Sequence, residues 1–288
     1  MKIGLSTYSL VQLIYKNEMT VLDAIQWIAD NGGEHVEIVP FGFTLADNPQ
    51  LVEDIRKKAE DVGLEISMYS ILANLLQETE EDYEREIKRL MDAVDITHNL
   101  GAKFMRHDVV AFRNMPEDPV KQFEIDLPKI VEGCKRIADY AAQYGIITTI
   151  ENHGFYVNGS ERVQRVLNAV NKPNFKTTVD VGNFLCVDQD PLIGVKDNMR
   201  FAAMIHLKDF YVRKYYDNPG EGWFRTSHGN YLRGAIVGQG DMDIRHIIKI
   251  IKDSGYDGYI SVEFEGLEDP RIGSKYGMDN AKRIWNEV

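Results

Sequence analysis

Residues 176–184 read KTTVDVGNF. Thr177, Thr178 and Val179 favour an extended strand; Asp180 ends the apolar run, and Gly182 and Asn183 turn the chain. A buried strand that finishes on a carboxylate must supply that carboxylate with a partner, because an unpaired buried charge is costly. The partner is either a neighbouring side chain or a metal ion shared with the ends of other strands. What surrounds this strand along the chain bears on which.

Outward from 176–184 the same unit recurs. Toward the C-terminus, a helical stretch at 191–201 leads to MIHLKDF (204–210). An amphipathic helix at 244–253, stopped by Ser254 and Gly255, leads to YISVEFEG (259–266) and a closing helix at 278–288. Toward the N-terminus, Ser160 caps a helix that follows IITTIENH (146–153), and a long helix at 119–144 follows KFMRHDVV (103–110). A helix begun at Thr79 carries the stripe Tyr83, Ile87, Leu90, Met91 and Val94 and follows EISMYSI (65–71). HVEIVP (35–40) precedes a helix at 51–62, and the chain opens with KIGLSTYS (2–9) and a helix capped by Thr20 and Asp23. Eight short apolar strands, each followed by a helix, are the pattern of the (β/α)8 TIM barrel, typically about 250 residues. With no Pro- or Ser-rich linker, the 288 residues predict one α/β domain spanning 1–288. An open doubly wound sheet is the alternative, but no G-x-G-x-x-G follows the first strand.

Bulk composition narrows the partners. A net charge of −12 disfavours nucleic acid and anionic membrane surfaces, whose binders carry basic footprints. Cys134 and Cys186 stand far apart outside any C-x-x-C pattern, as in a reducing, cytoplasmic compartment. Neither a signal-peptide run nor a membrane-length apolar stretch is present.

In such barrels the reactive groups sit at the carboxyl ends of the strands. The fifth run ends in Glu151, Asn152 and His153, and the sixth in Asp180. The seventh ends in His206, Leu207, Lys208 and Asp209, and the eighth carries Glu263, Phe264 and Glu265. Singly, each has an ordinary reading: a turn-forming Asp, a hydrogen-bonded core His, a solvated Glu265 or Glu268. Together, on neighbouring strands and at matching ends, they read as a site for one divalent ion, Mn²⁺ first and Mg²⁺ or Co²⁺ next.

TIENH, VDVGN, IHLKD, VGQGDMD and YISVEFEG, with GGEHVEIV at the second strand, resemble the xylose isomerase-like TIM barrels along essentially the whole chain. That family includes tagatose and psicose 3-epimerases, inosose dehydratases and type IV AP endonucleases. The resemblance implies Glu151, Asp180, His206 and Glu263 as metal ligands, and a second role for Glu151 and Glu263 as acid and base. The sequence departs from its relatives in two places. Epimerases of the family often have His three residues after the Asp ligand, where this chain has Asn183. The zinc-binding Asp-x-His pair of the AP endonucleases is replaced after the seventh strand by Lys208, Asp209, Phe210 and Tyr211, and the third strand offers Tyr69, not a zinc ligand.

A ketose chelating the ion has an acidic C–H beside its carbonyl, and the ion stabilises the enediolate that follows. Return of the proton on the other face gives epimerisation, so a divalent-metal-dependent sugar isomerase or epimerase acting on a ketose or keto-polyol is the first expectation. A leaving group β to the same carbon gives elimination. The alternative is therefore a lyase: an inosose or 3-keto-sugar dehydratase, or a 3-keto-glycoside or C-glycoside-cleaving subunit. A non-catalytic binding barrel is the third reading.

His107 is a further candidate catalyst at the end of the fourth strand; a one-residue slip decides whether it or Arg106 faces inward. Tyr8, Tyr69, His153, Asn183, Lys208 and Trp223 make up the expected substrate-binding set. Trp223 stands in an aromatic, Gly-rich insertion at about 211–243, long for a βα connection, where about 2–6 residues are common. Aromatics amid glycines suit a lid over a sugar ring, or a subunit interface. A small carbohydrate, a homo-oligomer and, for the lyase, a hetero-complex are the expected partners.

Overall fold

The computed structural model describes every residue except Phe112 and Asn114. Seven strands come first: β1 (Lys2–Ser6), β2 (His35–Ile38), β3 (Glu65–Ile71), β4 (Phe104–His107), β5 (Ile147–Glu151), β6 (Phe175–Asp180) and β7 (Ala202–Leu207). Then β8 (Asp209–Arg213), β9 (Phe224–Arg225) and β10 (Tyr231–Ala235) form a separate sheet, and β11 (Tyr259–Val262) returns to the first. The barrel closes in the order β1-β11-β7-β6-β5-β4-β3-β2, every pairing parallel. Its helices are α1 (Val11–Tyr15), α2 (Val21–Asp30), α3 (Pro49–Asp61), α4 (Glu80–Asn99), α5 (Pro119–Ala142), α6 (Ser160–Val170), α7 (Pro191–Asn198), α8 (Ile244–Asp253) and α9 (Pro270–Glu287). The chain is thus a (β/α)8 TIM barrel.

Strand side chains alternate between two faces. One face of the barrel strands, including Val36, Ile150, Val179, Ile205 and Ile260, is buried in a core shared with Ile25, Ile55, Leu90, Ile137 and Ile247 of the helices. The other face fills the barrel with polar or soft groups: the Thr149 and Thr178 hydroxyls lie 2.8 Å apart and both approach the Met68 sulfur. Because each strand has these two faces, it serves the core and the barrel mouth at once.

Several boundaries differ from the sequence expectation, and two of them shape the site. The run at 204–210 breaks at Lys208. The Asp209 carboxylate accepts backbone N–H groups from Phe210 (2.8 Å), Gly238 (2.9 Å), Gly240 (2.9 Å) and Met242 (3.3 Å), and so ties β7 to the segment before α8. A Cβ on Gly240 would lie 2.3 Å from Asp209 Oδ1, which is why IHLKD and VGQGDMD belong together. The closing helix begins at Pro270, behind the Asp269 cap, rather than at 278. Glycines hid its first turns: a Cβ on Gly273 would stand 2.4 Å from the Phe264 ring, so the helix needs them to approach the strand end.

The insertion is a hairpin of β8 and β10 with β9 at its edge. Asp188, in the loop after β6, pins it by accepting from Thr226 Oγ1 (2.8 Å), His228 N (2.9 Å) and Asn230 Nδ2 (2.8 Å). Among the described residues no helix is long and apolar enough to cross a membrane.

Candidate metal centre

The question posed by Asp180 is answered at the end of β6. Its Oδ1 accepts the N–H groups of Gly182 (2.8 Å) and Asn183 (2.9 Å), building the turn, while Oδ2 looks into the barrel mouth. Asn152 faces the other way and clamps the neighbouring strand. Its amide donates to Asp180 O at 2.8 Å and its carbonyl accepts from Asp180 N at 2.9 Å.

His206 stands at the centre. Its Nδ1 lies 3.4 Å from Glu151 Oε2, 3.4 Å from Glu263 Oε1 and 3.9 Å from Asp180 Oδ2. Its Nε2 lies 3.0 Å from the Glu37 carboxylate. Glu37 accepts the Ser70 hydroxyl at 2.5 Å, so it can fix the ring and direct the Nε2 proton. Burial works against a charged His206 ring, yet the carboxylates of Glu263, Glu37 and Glu151 outweigh it and raise its pKa well above the ordinary value.

The groups present fit a divalent ion. Nδ1 of His206 is buried and makes no hydrogen bond among the described residues, yet faces three carboxylates. Glu151, Asp180 and His206 bring ligand atoms within 4.8 Å of one another, as do Glu37, His206 and Glu263. Carboxylates crowd the mouth, and burial pushes the Asp180 carboxyl up to about 7 despite Lys208 beside it. Hard oxygen donors plus one imidazole suit Mg²⁺, Mn²⁺ or Zn²⁺ rather than a soft ion.

Lys208 is buried here rather than solvated. Its ammonium lies 2.9 Å from Asp180 Oδ2, 3.0 Å from Glu263 Oε2 and 3.1 Å from Glu265 Oε1. The close turn at Gly182 makes room for it, since a Cβ there would lie 2.4 Å from Lys208 Cγ. Asn183 donates to Glu151 Oε1 at 2.8 Å and lies 3.5 Å from Lys208 Nζ, so it joins two site groups. His153 Nδ1 lies 3.1 Å from Asp108 Oδ2. Burial works against its charge, but Asp108 and Glu151 together raise its pKa. Tyr8 borders the same cavity, where the Glu265 charge and burial keep its hydroxyl protonated. That cavity measures about 160 Å³, small beside the roughly 300–1,000 Å³ of sites for drug-sized ligands.

Three expected members of the site lie elsewhere. Arg106, not His107, points into the mouth: Nε lies 2.8 Å from Glu151 Oε2 and Nη2 3.0 Å from Asp108 Oδ1. His107 lies on the other face of β4, its Nδ1 3.0 Å from Asp108 O and its ring 6.3 Å from that of Phe175. Tyr69 follows the same parity, turning away from the mouth into a groove between α3 and α4, while Ser70 takes the inner position. Trp223 borders neither cavity; it lies against Arg213 (5.4 Å) and Arg233 (5.2 Å) on the hairpin. The pinned hairpin holds it there, whereas an aromatic-rich loop reads in sequence as a lid.

Sequence reasoning passed over Glu37 and Asp108. Glu37 carried a usable signal: like Asp180, it is a carboxylate in an apolar strand.

His107 gives a pH prediction. Burial pushes its pKa down to about 4 from an ordinary 6.5. The native ring stays neutral while the unfolded one protonates, so its contribution is present above pH 6.5 and is lost as pH falls toward 4. Between pH 6.5 and 5, His107→Gln is expected to lose less stability than the parent chain, by up to about 2 kcal/mol. Denaturant unfolding at both pH values measures this; parallel losses would show that His107 titrates normally.

A model of the xylose isomerase-like TIM barrel family matches residues 25–284, and the chain belongs to that family. An inosose dehydratase of Clostridium perfringens (strain 13 / Type A) is 24% identical over 252 residues, covering 82% of this chain and 81% of that one. Two solved structures share the fold. The probable 3-DHS dehydratase AsbF of Bacillus anthracis has a TM-score of 0.74 at 18% identity, over 98% of this chain and 99% of the other. The IolI protein with a bound zinc atom has a TM-score of 0.73 at 17% identity, over 100% and 97%.

Proposed function

We propose that this member of the xylose isomerase-like TIM barrel family is a divalent-metal-dependent lyase that dehydrates a small keto-polyol ring. The observation that carries the metal centre is the buried His206 Nδ1 facing Glu151, Asp180 and Glu263. Relatives named as inosose dehydratases favour elimination over the epimerisation expected first from sequence.

An ion held by Glu151, Asp180, His206 and Glu263 would supply Lewis-acid polarisation of the substrate carbonyl. The protein groups divide the remaining work. Glu151, whose Oε2 faces the Arg106 guanidinium at 2.8 Å and whose Oε1 accepts from the Asn183 amide at 2.8 Å, is engaged on both oxygens and is the poorer base. Glu263 is then the base that takes the proton α to the carbonyl, with Lys208 3.0 Å away to orient it. His153, held by Asp108, donates a proton to the β-hydroxyl. The C–H electron pair becomes the new C=C bond, the C–O pair leaves with oxygen, and the donated proton completes water. No oxidant or reductant is required. Arg106 spans Glu151 and Asp108, Asn183 holds Glu151, and Ser70 holds the Glu37 carboxylate that faces His206 Nε2.

The test is metal-loaded protein with a keto-inositol in D₂O. Loss of water with a new ultraviolet-absorbing enone is the expected result. Epimer formation without water loss would replace this reading with the isomerase.

A further inference from the structure

We infer that the groove between α3 and α4 is a second subsite, which binds an uncharged aromatic substituent carried by the ring held at the metal centre. This rests on the reading above, since that reading places the ring. A surface groove of about 1140 Å³ lies between these helices. It adjoins the small cavity: Val39, Phe41, Ser70, Leu72 and Arg106 border both. A ring that fills about 160 Å³ therefore has its exit for a substituent on the Ser70 side.

The lining indicates the chemistry. Phe41, whose ring lies 5.8 Å from that of Tyr8, stands at the junction. Phe43, Leu45 and Tyr69 continue the wall beyond it. Such faces favour a flat apolar group through offset or edge contacts. The basic side chains along the groove are already committed. Arg56 pairs with Glu53 and Glu60, Arg85 with Glu81 and Asp82, Lys88 with Asp92, and Arg89 with Glu86. Asp47, Glu53, Asp92 and Asp95 line the groove as well, so a negatively charged substituent meets carboxylates and cations that already have partners, and an uncharged one fits better. Burial pushes the Tyr69 hydroxyl up to about 12, so that wall is uncharged as well. Tyr69, displaced from the mouth, thus becomes a contact for the substituent.

Calorimetry with unreactive probes separates this inference from the one it rests on. Phenyl and methyl glucosides, matched except for the substituent, are titrated into the metal-loaded full chain. Phenyl glucoside should bind at least tenfold more tightly, and Phe43→Ala should bring the ratio near one without changing methyl glucoside binding. Equal affinities in the parent chain, or no phenyl glucoside binding up to its solubility limit, would overturn the subsite. The parent chain alone decides this, so misfolding of Phe43→Ala would not obscure it. If keto-inositol is dehydrated while the ratio is one, the subsite fails and the lyase stands. If the ratio is tenfold and keto-inositol is inert, the lyase fails and the subsite stands.

Discussion

Glu263→Gln is expected to lower kcat/KM for dehydration by about a thousandfold or more, the range seen when a general base and its charge are both removed. Gln keeps the shape beside His206 Nδ1 but cannot take a proton, and it weakens the hold on the ion. Glu151→Gln should be similarly inactive at limiting metal, yet recover part of its activity at high metal concentration, because its proposed role is to hold the ion. Deuterium exchange at the α carbon is the readout. Near-native exchange by Glu263→Gln would remove it as the base. Full turnover by the parent protein after exhaustive chelation would remove the metal centre itself.

Arg106→Leu should lose about 3–5 kcal/mol of folding stability, the usual consequence of removing one partner from buried ion pairs. Burial alone would lower the Arg106 pKa, but Asp108 and Glu151 outweigh it and raise it, so the guanidinium stays charged. Leucine would leave both carboxylates without it in a site where Arg106 is 6% exposed. Arg106→Lys, retaining charge but not the fork that reaches both acids, should lose less. Denaturant midpoints at pH 7 measure both. A loss below about 1 kcal/mol for Leu would mean that water reaches the carboxylates as readily as the guanidinium does.

The mouth was legible where a strand ended on an out-of-place group. Asp180, His206 and Glu151 stood out because apolar runs rarely finish in carboxylates or imidazole. Lys208 was legible as a member of the site, but its three carboxylate partners were not, because Asp180, Glu263 and Glu265 come from the ends of other strands. Arg106 and His107 could not be ordered, because period-two alternation gives each the same prior. The pairing of Arg106 with Thr149 and of Ser70 with Arg106 sets the parity, and neither pairing is local.

The eight-fold alternation of strand and helix, the glycine stops, the Thr20 and Thr79 caps and the polar strand ends were determined by the sequence alone, since these depend on local backbone preference and short-range periodicity; Ser160, expected as a cap, is instead the first residue of α6, and its hydroxyl accepts from Gln189 and Asn198. Which face of β3 and β4 looks inward was decided only by the closed barrel, and so was the convergence of Glu37 on β2 with His206 on β7, strands that do not pair with each other. The same holds for the placement of Trp223 on the hairpin and the gap between α3 and α4. These depend on register and on contacts between residues far apart in the chain, where a shift of one residue reverses the answer.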